Sequence, residues 1–299
     1  MNGELPALAC DALRAYEVAV ADCSFAVQAF NTVFRVAATD GAQYALRVGS
    51  ELRIHADDCE ALEAAWVNEL HTAGLPVAPV VHARDGALVI DAGGRRCLLF
   101  EWVRGRTLRE HVTPELVHAA GALTAAVHEH ASRNPGERPA GALRGDRVLS
   151  FSLANRLDEL RPRFGGALPD AVARAQAALD GLWRDPPHPP HLLHGDVNLG
   201  NVMADGDRIT LLDFQDVAWG FEVQDVVIAM LSLEHRDAFR TGYASVRTWP
   251  EVDPETWAAL EAARHLNILN FGLHLRRSAL DGFVARHAQP IVAWMTDSR

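Results

Sequence analysis

The feature that most constrains the fold of this chain is a single change of hydrophobic period near residue 104. Before it, apolar residues alternate in short runs: residues 25–48 alternate as strands do, and the runs 32–37 and 43–48 flank Thr39-Asp40-Gly41, a hairpin turn. Further strand-like runs occupy 78–83, 87–91 and 96–103. One helix is expected among them, over 57–73, with Leu62, Trp66, Val67 and Leu70 on one face and a stop at Gly74 and Pro76. Beyond Gly105 the spacing becomes helical. Thr113, Pro114 and Glu115 supply an N-cap, a first-turn proline and a first-turn acid for a helix to about His130. Residues 134–147, rich in glycine and proline, read as a surface loop, and 170–183 as another helix. Strands followed by helices predict an α+β protein of two lobes, 1–103 and 104–299.

One β interruption breaks the helical half, with short strands expected at 191–194, 201–204 and 209–214 around Asp205-Gly206-Asp207. It contains His194-Gly195-Asp196-Val197-Asn198-Leu199-Gly200-Asn201 and, twelve residues on, Asp213-Phe214-Gln215-Asp216. Transfer of a phosphoryl group from ATP needs a carboxylate beside the attacking hydroxyl and oxygen ligands for Mg2+, because the transferred group is highly charged. Asp196 and Asp213 can divide those tasks.

The ordered set closely resembles the kinase catalytic loop and metal-binding motif. With glycine at 195, where protein kinases usually carry arginine, it resembles the aminoglycoside phosphotransferase and homoserine kinase-like family in particular. That resemblance, over roughly residues 25–230, implies a protein-kinase-like fold with nucleotide held under the N-terminal sheet. It implies Asp196 as the base that accepts the hydroxyl proton, Asn201 and Asp213 as Mg2+ ligands, His194 as a structural support of the loop and Asp225 as its brace. It makes Arg47, in Tyr44-Ala45-Leu46-Arg47-Val48, the phosphate-contacting basic residue. The carboxylate that orients Arg47 belongs on the helix ending at Gly74, where Glu63 fits best and Glu60 and Glu69 stay open. Leu98-Leu99-Phe100-Glu101-Trp102-Val103 resembles the hinge, with backbone groups of Glu101 and Val103 for adenine. ATP is the expected nucleotide, with GTP as an alternative.

Arginine at position 47, where many kinases have lysine, would suggest a dead enzyme in another chain. Here all 28 basic residues are arginine, so the substitution carries no special meaning, and a guanidinium grips two phosphate oxygens at once. The chain has no P-loop signature, and Ser24 to Asn31 holds no glycine where a glycine-rich loop would lie. Only eleven residues separate Asp213 from Asp225, too few for a long activation segment on which a polypeptide docks, so a small hydroxyl-bearing substrate is expected. A net charge of −11 argues against nucleic acid as a partner. No basic leader and no apolar run of about 18 residues point to a membrane or to export, so a cytoplasmic protein is expected. Cys10, Cys23, Cys59 and Cys97 lack the close spacing of a zinc site or redox dithiol. Nothing in the sequence reports on oligomeric state.

Three functions fit. The first is an antibiotic-type hydroxyl kinase, with Asp216, Glu222, Glu234 and Asp237 as acids for a cationic substrate and Trp219, Phe221 and Trp249 as ring-stacking or core residues. The second is a metabolic kinase for homoserine, choline or a sugar. The third is a nucleotide-binding pseudokinase that works as a partner-binding module.

Overall fold

Turn residues and caps set the element boundaries in the structure, a computed structural model that describes residues 4–231, 233–275 and 280–297. Helix α1 (Glu4–Leu13) precedes three antiparallel strands, β1 (Val20–Gln28), β2 (Thr32–Ala38) and β3 (Gln43–Val48). Between β2 and β3, Gly41 adopts φ 89° and the Asp40 carboxylate accepts the Ala42 N–H at 2.9 Å, the local chemistry a tight turn needs. Helix α2 (Cys59–Thr72) ends where Gly74 takes φ 83°. β4 (Ile90–Ala92) and β5 (Arg95–Glu101) complete a five-stranded sheet in the order β1-β2-β3-β5-β4.

The expected strand at 78–83 does not form. Pro79 has no N–H to give a ladder, so contact with β5 is reduced to one bridge, Val80 to Phe100, and the outward main-chain groups of Val80 bond the Asn68 amide on α2 at 2.8 and 3.0 Å. Of 87–91, only the last two residues enter β4.

The helical half runs β6 (Arg106–Thr107), α3 (Pro114–Arg133), β7 (Leu143–Arg144), a 3₁₀ turn at Leu157–Leu160, α4 (Arg161–Phe164) and α5 (Ala167–Arg184). It continues through β8 (His191–Leu193), β9 (Val202–Asp205), β10 (Arg208–Leu211), a 3₁₀ turn at Phe214–Asp216, β11 (Ala218–Gly220), α6 (Glu222–Met230), α7 (Arg236–Ala244), α8 (Pro254–His274) and α9 (Leu280–Asp297). The two long helices α3 and α8 start alike: Thr113 accepts the Leu116 N–H at 3.3 Å, Asp253 accepts the Thr256 N–H at 2.9 Å, and each cap precedes a proline.

The β interruption is arranged differently from the expectation. β9 and β10 form the hairpin and pair with β6, whereas β8 leaves it to pair with β11, which also pairs with β7. The stretch from β8 to β9 therefore spans two small sheets, and the catalytic-loop motif bridges them.

Packing ties the two halves together. One core lies between α1 and the N-terminal sheet, around Leu8, Tyr16, Phe34, Leu46 and Leu99. A second gathers Trp66, Val67 and Leu70 of α2 with Leu98, Leu108, Val117, Val202 and Phe214. Trp66 meets Phe214 edge-to-face at 5.3 Å. Although α2 precedes residue 103, it thus buries its apolar face largely against the helical half. Truncating Trp66 would cost about 3–5 kcal/mol by analogy with other buried aromatics. A third core joins α5, α6, α8 and α9. Among the described residues no helix is long and apolar enough to cross a membrane.

Candidate functional site

The motif loop hangs from one buried carboxylate. Asp225, on the first turns of α6, accepts the N–H groups of His194 at 2.8 Å and Gly195 at 2.7 Å. His128 of α3 adds a bond from Nε2 at 3.0 Å, and its Nδ1 meets the Tyr243 hydroxyl at 2.9 Å. Asp225, His128 and Tyr243 are all fully buried. Burial alone would favour a neutral Asp225, but His128, His194 and the Gly195 amide hold the carboxyl below the usual range.

The loop's shape dictates its residues. Gly195 takes φ 80°, and a Cβ there would lie 1.9 Å from the Asp216 carbonyl oxygen, so the arginine of protein kinases could not occupy this position. The His194 ring is fixed as one tautomer: Nε2 donates to the Leu212 carbonyl at 2.8 Å, and Nδ1 accepts the Asp196 N–H at 3.1 Å. Both bonds tie the ring into the backbone of the loop and its neighbour.

Asp196 is held from three directions. Its Oδ2 accepts Nδ2 of Asn198 at 3.0 Å and of Asn201 at 2.9 Å, and its Oδ1 pairs with Arg264 of α8. A carboxylate oxygen has about two acceptor positions. Both on Oδ2 are filled, and one on Oδ1 remains. Because Asn201 turns its nitrogen toward Asp196, its amide oxygen faces away from that carboxylate.

Asp213 has φ 60° and ψ 66°, a left-handed conformation that few residues other than glycine adopt and that concentrates at functional sites. Its Oδ1 lies 3.4 Å from Nη1 of Arg47. Arg47 in turn makes a two-pronged pair with Glu63, through Nη1 at 2.8 Å and through Nη2, and stacks its guanidinium 5.2 Å from the Phe100 ring centre. The open choice among three acids is thereby resolved in geometry: Glu69 bonds His130 and Glu60 lies 3.8 Å from Arg53. Glu63 is completely buried.

Three carboxylates, Asp196, Asp213 and Asp216, converge here, with Arg47, Arg264 and His55 paired against them. Partial burial pushes Asp213 above the usual carboxylate range, against Arg47 and reinforced by Asp196 and Asp216. Burial likewise raises Asp196, opposed by Arg264 and reinforced by Asp216. Asp216 goes the other way: despite burial, the bond from His55 at 2.8 Å and its charge hold it low. Half of the Asp213 side chain is open to solvent. One accessible carboxylate and a nearby amide oxygen are hard donors of the kind that suit Mg2+.

In the segment expected to form the hinge, the Glu101 N–H is committed to the Pro79 carbonyl at 3.0 Å. The glycine-free turn between β1 and β2 reaches the metal motif directly, since Asn31 donates to Gln215 at 2.5 Å. On the opposite side, a cleft is lined by Gly195, Asp216, Arg144, Arg147, Arg264 and Asn267. Trp219 and Phe221 are buried core residues, Trp249 stacks on Trp257, Glu222 is buried beside Arg247, and Glu234 and Asp237 are exposed.

Sequence reasoning missed Arg264, His55 and His128. Each is a lone polar residue on a helix or in a loop, and no local pattern marks its distant partner. Asn198 could have been found, standing two residues after Asp196 within the motif.

The sequence matches the profile of the phosphotransferase enzyme family, APH, over residues 24–265. Comparison with curated proteins gives no match. Among solved structures, an amicoumacin kinase in complex with AMP-PNP and Ca2+ superposes with TM-score 0.71 at 19% identity, covering 98% of this chain and 96% of that one. A microcompartment-associated aminopropanol kinase gives 0.71 at 24% identity over 97% and 95%. A spectinomycin phosphotransferase in complex with ADP gives 0.65 at 10% identity over 97% and 98%. These likenesses establish the two-lobed, kinase-like α+β fold. With a family match across most of its length and a loop, brace and ion pair that converge on one cleft, the chain belongs to the phosphotransferase enzyme family.

Proposed function

We propose that this protein is a cytoplasmic, ATP- and Mg2+-dependent kinase that phosphorylates a hydroxyl group of a small molecule. The observation that carries this reading is the convergence of Asp196 and Asp213 in one cleft, with Arg47 held by Glu63 and aimed at Asp213. In this reading the substrate hydroxyl donates to the open acceptor position on Asp196 Oδ1. Its oxygen attacks the γ-phosphorus, its proton passes to Asp196, and the bond to the β-phosphate oxygen breaks to release ADP. Asp213 and the Asn201 amide oxygen would hold Mg2+, which neutralises phosphate charge. Arg47 would grip phosphate oxygens, and the Glu101 carbonyl and Val103 N–H would bond adenine, or guanine if GTP is used.

For the acceptor, an antibiotic is the first reading, in keeping with the amicoumacin and spectinomycin enzymes of the same fold. A metabolite is the second, in keeping with the aminopropanol kinase of the same fold. Burial of Trp219 and Phe221 also removes two of the three rings expected to stack on an antibiotic.

An ADP-release screen with Mg2+ tests the proposal across aminoglycosides, peptide and nucleoside antibiotics, homoserine, choline, amino alcohols and sugars, with Asp196→Asn as the blank. Turnover with an antibiotic or a metabolite selects between the two readings. ATP binding with no turnover on any acceptor would sink both and favour the partner-binding module.

A further inference from the structure

Below the catalytic loop, on the side away from the cleft carboxylates, lies a second polar cluster that the phosphotransferase reading does not use. His191 on β8 is fully buried, and among the described residues neither of its ring nitrogens has a hydrogen-bond partner. Glu222, at the start of α6, is 5% exposed, and its Oε2 is likewise without a hydrogen bond. Leaving such groups dry and unpaired is costly unless something binds them.

His188 supplies the third member. Its Nδ1 lies 2.8 Å from the Pro189 carbonyl, an oxygen that can only accept, so Nδ1 carries the proton and the neutral ring's lone pair is on Nε2. That Nε2 lies 2.6 Å from Glu222 Oε2, without the alignment of an N–H···O bond. A lone pair facing a carboxylate oxygen at this distance is repulsive, and a cation between them removes the repulsion. His191 Nε2 completes the group at 3.9 Å from the same oxygen. Ligand atoms of all three residues fall within 4.8 Å of one another.

The surroundings are those of a metal site. Arg247 binds the other oxygen of Glu222 at 3.2 Å and is itself offset by Glu129 at 2.8 Å, so Oε2 stays available and the nearby positive charge is compensated. The Nδ1–H to carbonyl bond that fixes the His188 tautomer is the usual support of a metal-bound imidazole. Prolines on both sides, in Pro186-Pro187-His188-Pro189-Pro190-His191, restrict the loop that presents both histidines.

We propose that His188, His191 and Glu222 form a Zn2+ site that pins the strand entering the catalytic loop to the helix carrying its brace. Two imidazoles and one carboxylate are a Zn2+ donor set, and water on the partly exposed His188 side completes four-coordination. Tetrahedral Zn2+ with bonds near 2.0–2.1 Å separates its ligand atoms by about 3.3 Å, so His188 must retreat by roughly 0.7 Å. His191 lies three residues before His194, and Glu222 three before Asp225. The ion therefore ties β8 to α6 at a second point beside the bonds from Asp225 to the loop amides.

The test uses the full chain without a tag, stripped of metal and free of nucleotide, titrated with Zn2+ against a chromophoric chelator. About one equivalent should bind to the wild type. His188→Ala, at a part-exposed position that leaves the core intact, and Glu222→Gln should each weaken binding at least tenfold. His265→Ala, which disturbs a separate histidine pair on α8, should bind as the wild type does. Zn2+ should also raise the thermal midpoint of the wild type and not of His188→Ala. If a variant fails to fold, Co2+ loaded into the wild type decides: four-coordinate visible bands support the site, and their absence overturns it. Uptake by His188→Ala equal to the wild type, or no uptake by the wild type, would overturn it as well, the latter leaving a protonated His188 paired with Glu222.

Discussion

Replacing Gly195 with alanine should disable the enzyme more than it unfolds it. At φ 80° a side chain is strained by about 1–2 kcal/mol wherever it points. Here it also points at the Asp216 carbonyl oxygen, 1.9 Å away, and since real Cβ contacts essentially never fall below 3.0 Å the loop must yield by at least about 1.1 Å. Asp225 anchors the amides of residues 194 and 195, and His194 grips the Asp196 N–H, so the adjustment cannot be absorbed upstream. It falls on Asp196. A displacement near 1 Å of a reacting group costs on the order of 100-fold in rate. ADP release with the acceptor found by screening should thus fall roughly 100-fold in kcat, with the ATP dissociation constant within about threefold of wild type and the thermal midpoint lower by a few degrees. Activity and midpoint both equal to wild type would refute the claim that this glycine fixes the position of Asp196.

Glu63→Ala strands the Arg47 guanidinium in a buried site and should destabilise the protein by about 3–5 kcal/mol, measured by urea unfolding, while weakening ATP binding. Arg264→Gln removes the cation that opposes burial at Asp196; the Asp196 pKa should rise further, moving the acid limb of the kcat/KM profile to higher pH. A limb that stays put would show that Arg264 does not face the titrating group. His287, pushed down to about 4 by burial and by His265, is neutral in the folded protein, whereas an unfolded histidine titrates near 6.5. Its contribution to stability is complete above pH 6.5 and is lost as pH falls toward 4, so the urea midpoint should drop over that interval and drop less in His287→Gln.

Much of this architecture is legible in the sequence because it rests on local chemistry. The hairpin at Asp40-Gly41, the stop at Gly74 and the Thr113-Pro114 cap each depend on a few adjacent residues, and each lies where expected. The segment 78–83 was not legible as a loop, because its partners, Phe100 through a single bridge and Asn68 of α2 through its amide, lie on other elements. The same holds for the pairing of β8 with β11 across an intervening hairpin. In the site, the residues of the two motifs stand out by their resemblance to the kinase catalytic loop and metal-binding motif, and Gly195 is a departure from protein kinases whose cause, the Asp216 carbonyl, only three dimensions reveal. Arg264, His55 and His128 were invisible because each acts on a carboxylate more than 60 positions away.

The most direct test of the central proposal is Asp196→Asn, comparing Mg2+-dependent ADP release with ATP binding by calorimetry. Loss of the base should lower turnover by about 10²–10⁴-fold while the ATP affinity, set by the opposite lobe, stays near that of the wild type. Turnover within tenfold of wild type would contradict the assignment of Asp196 as the residue that takes the hydroxyl proton.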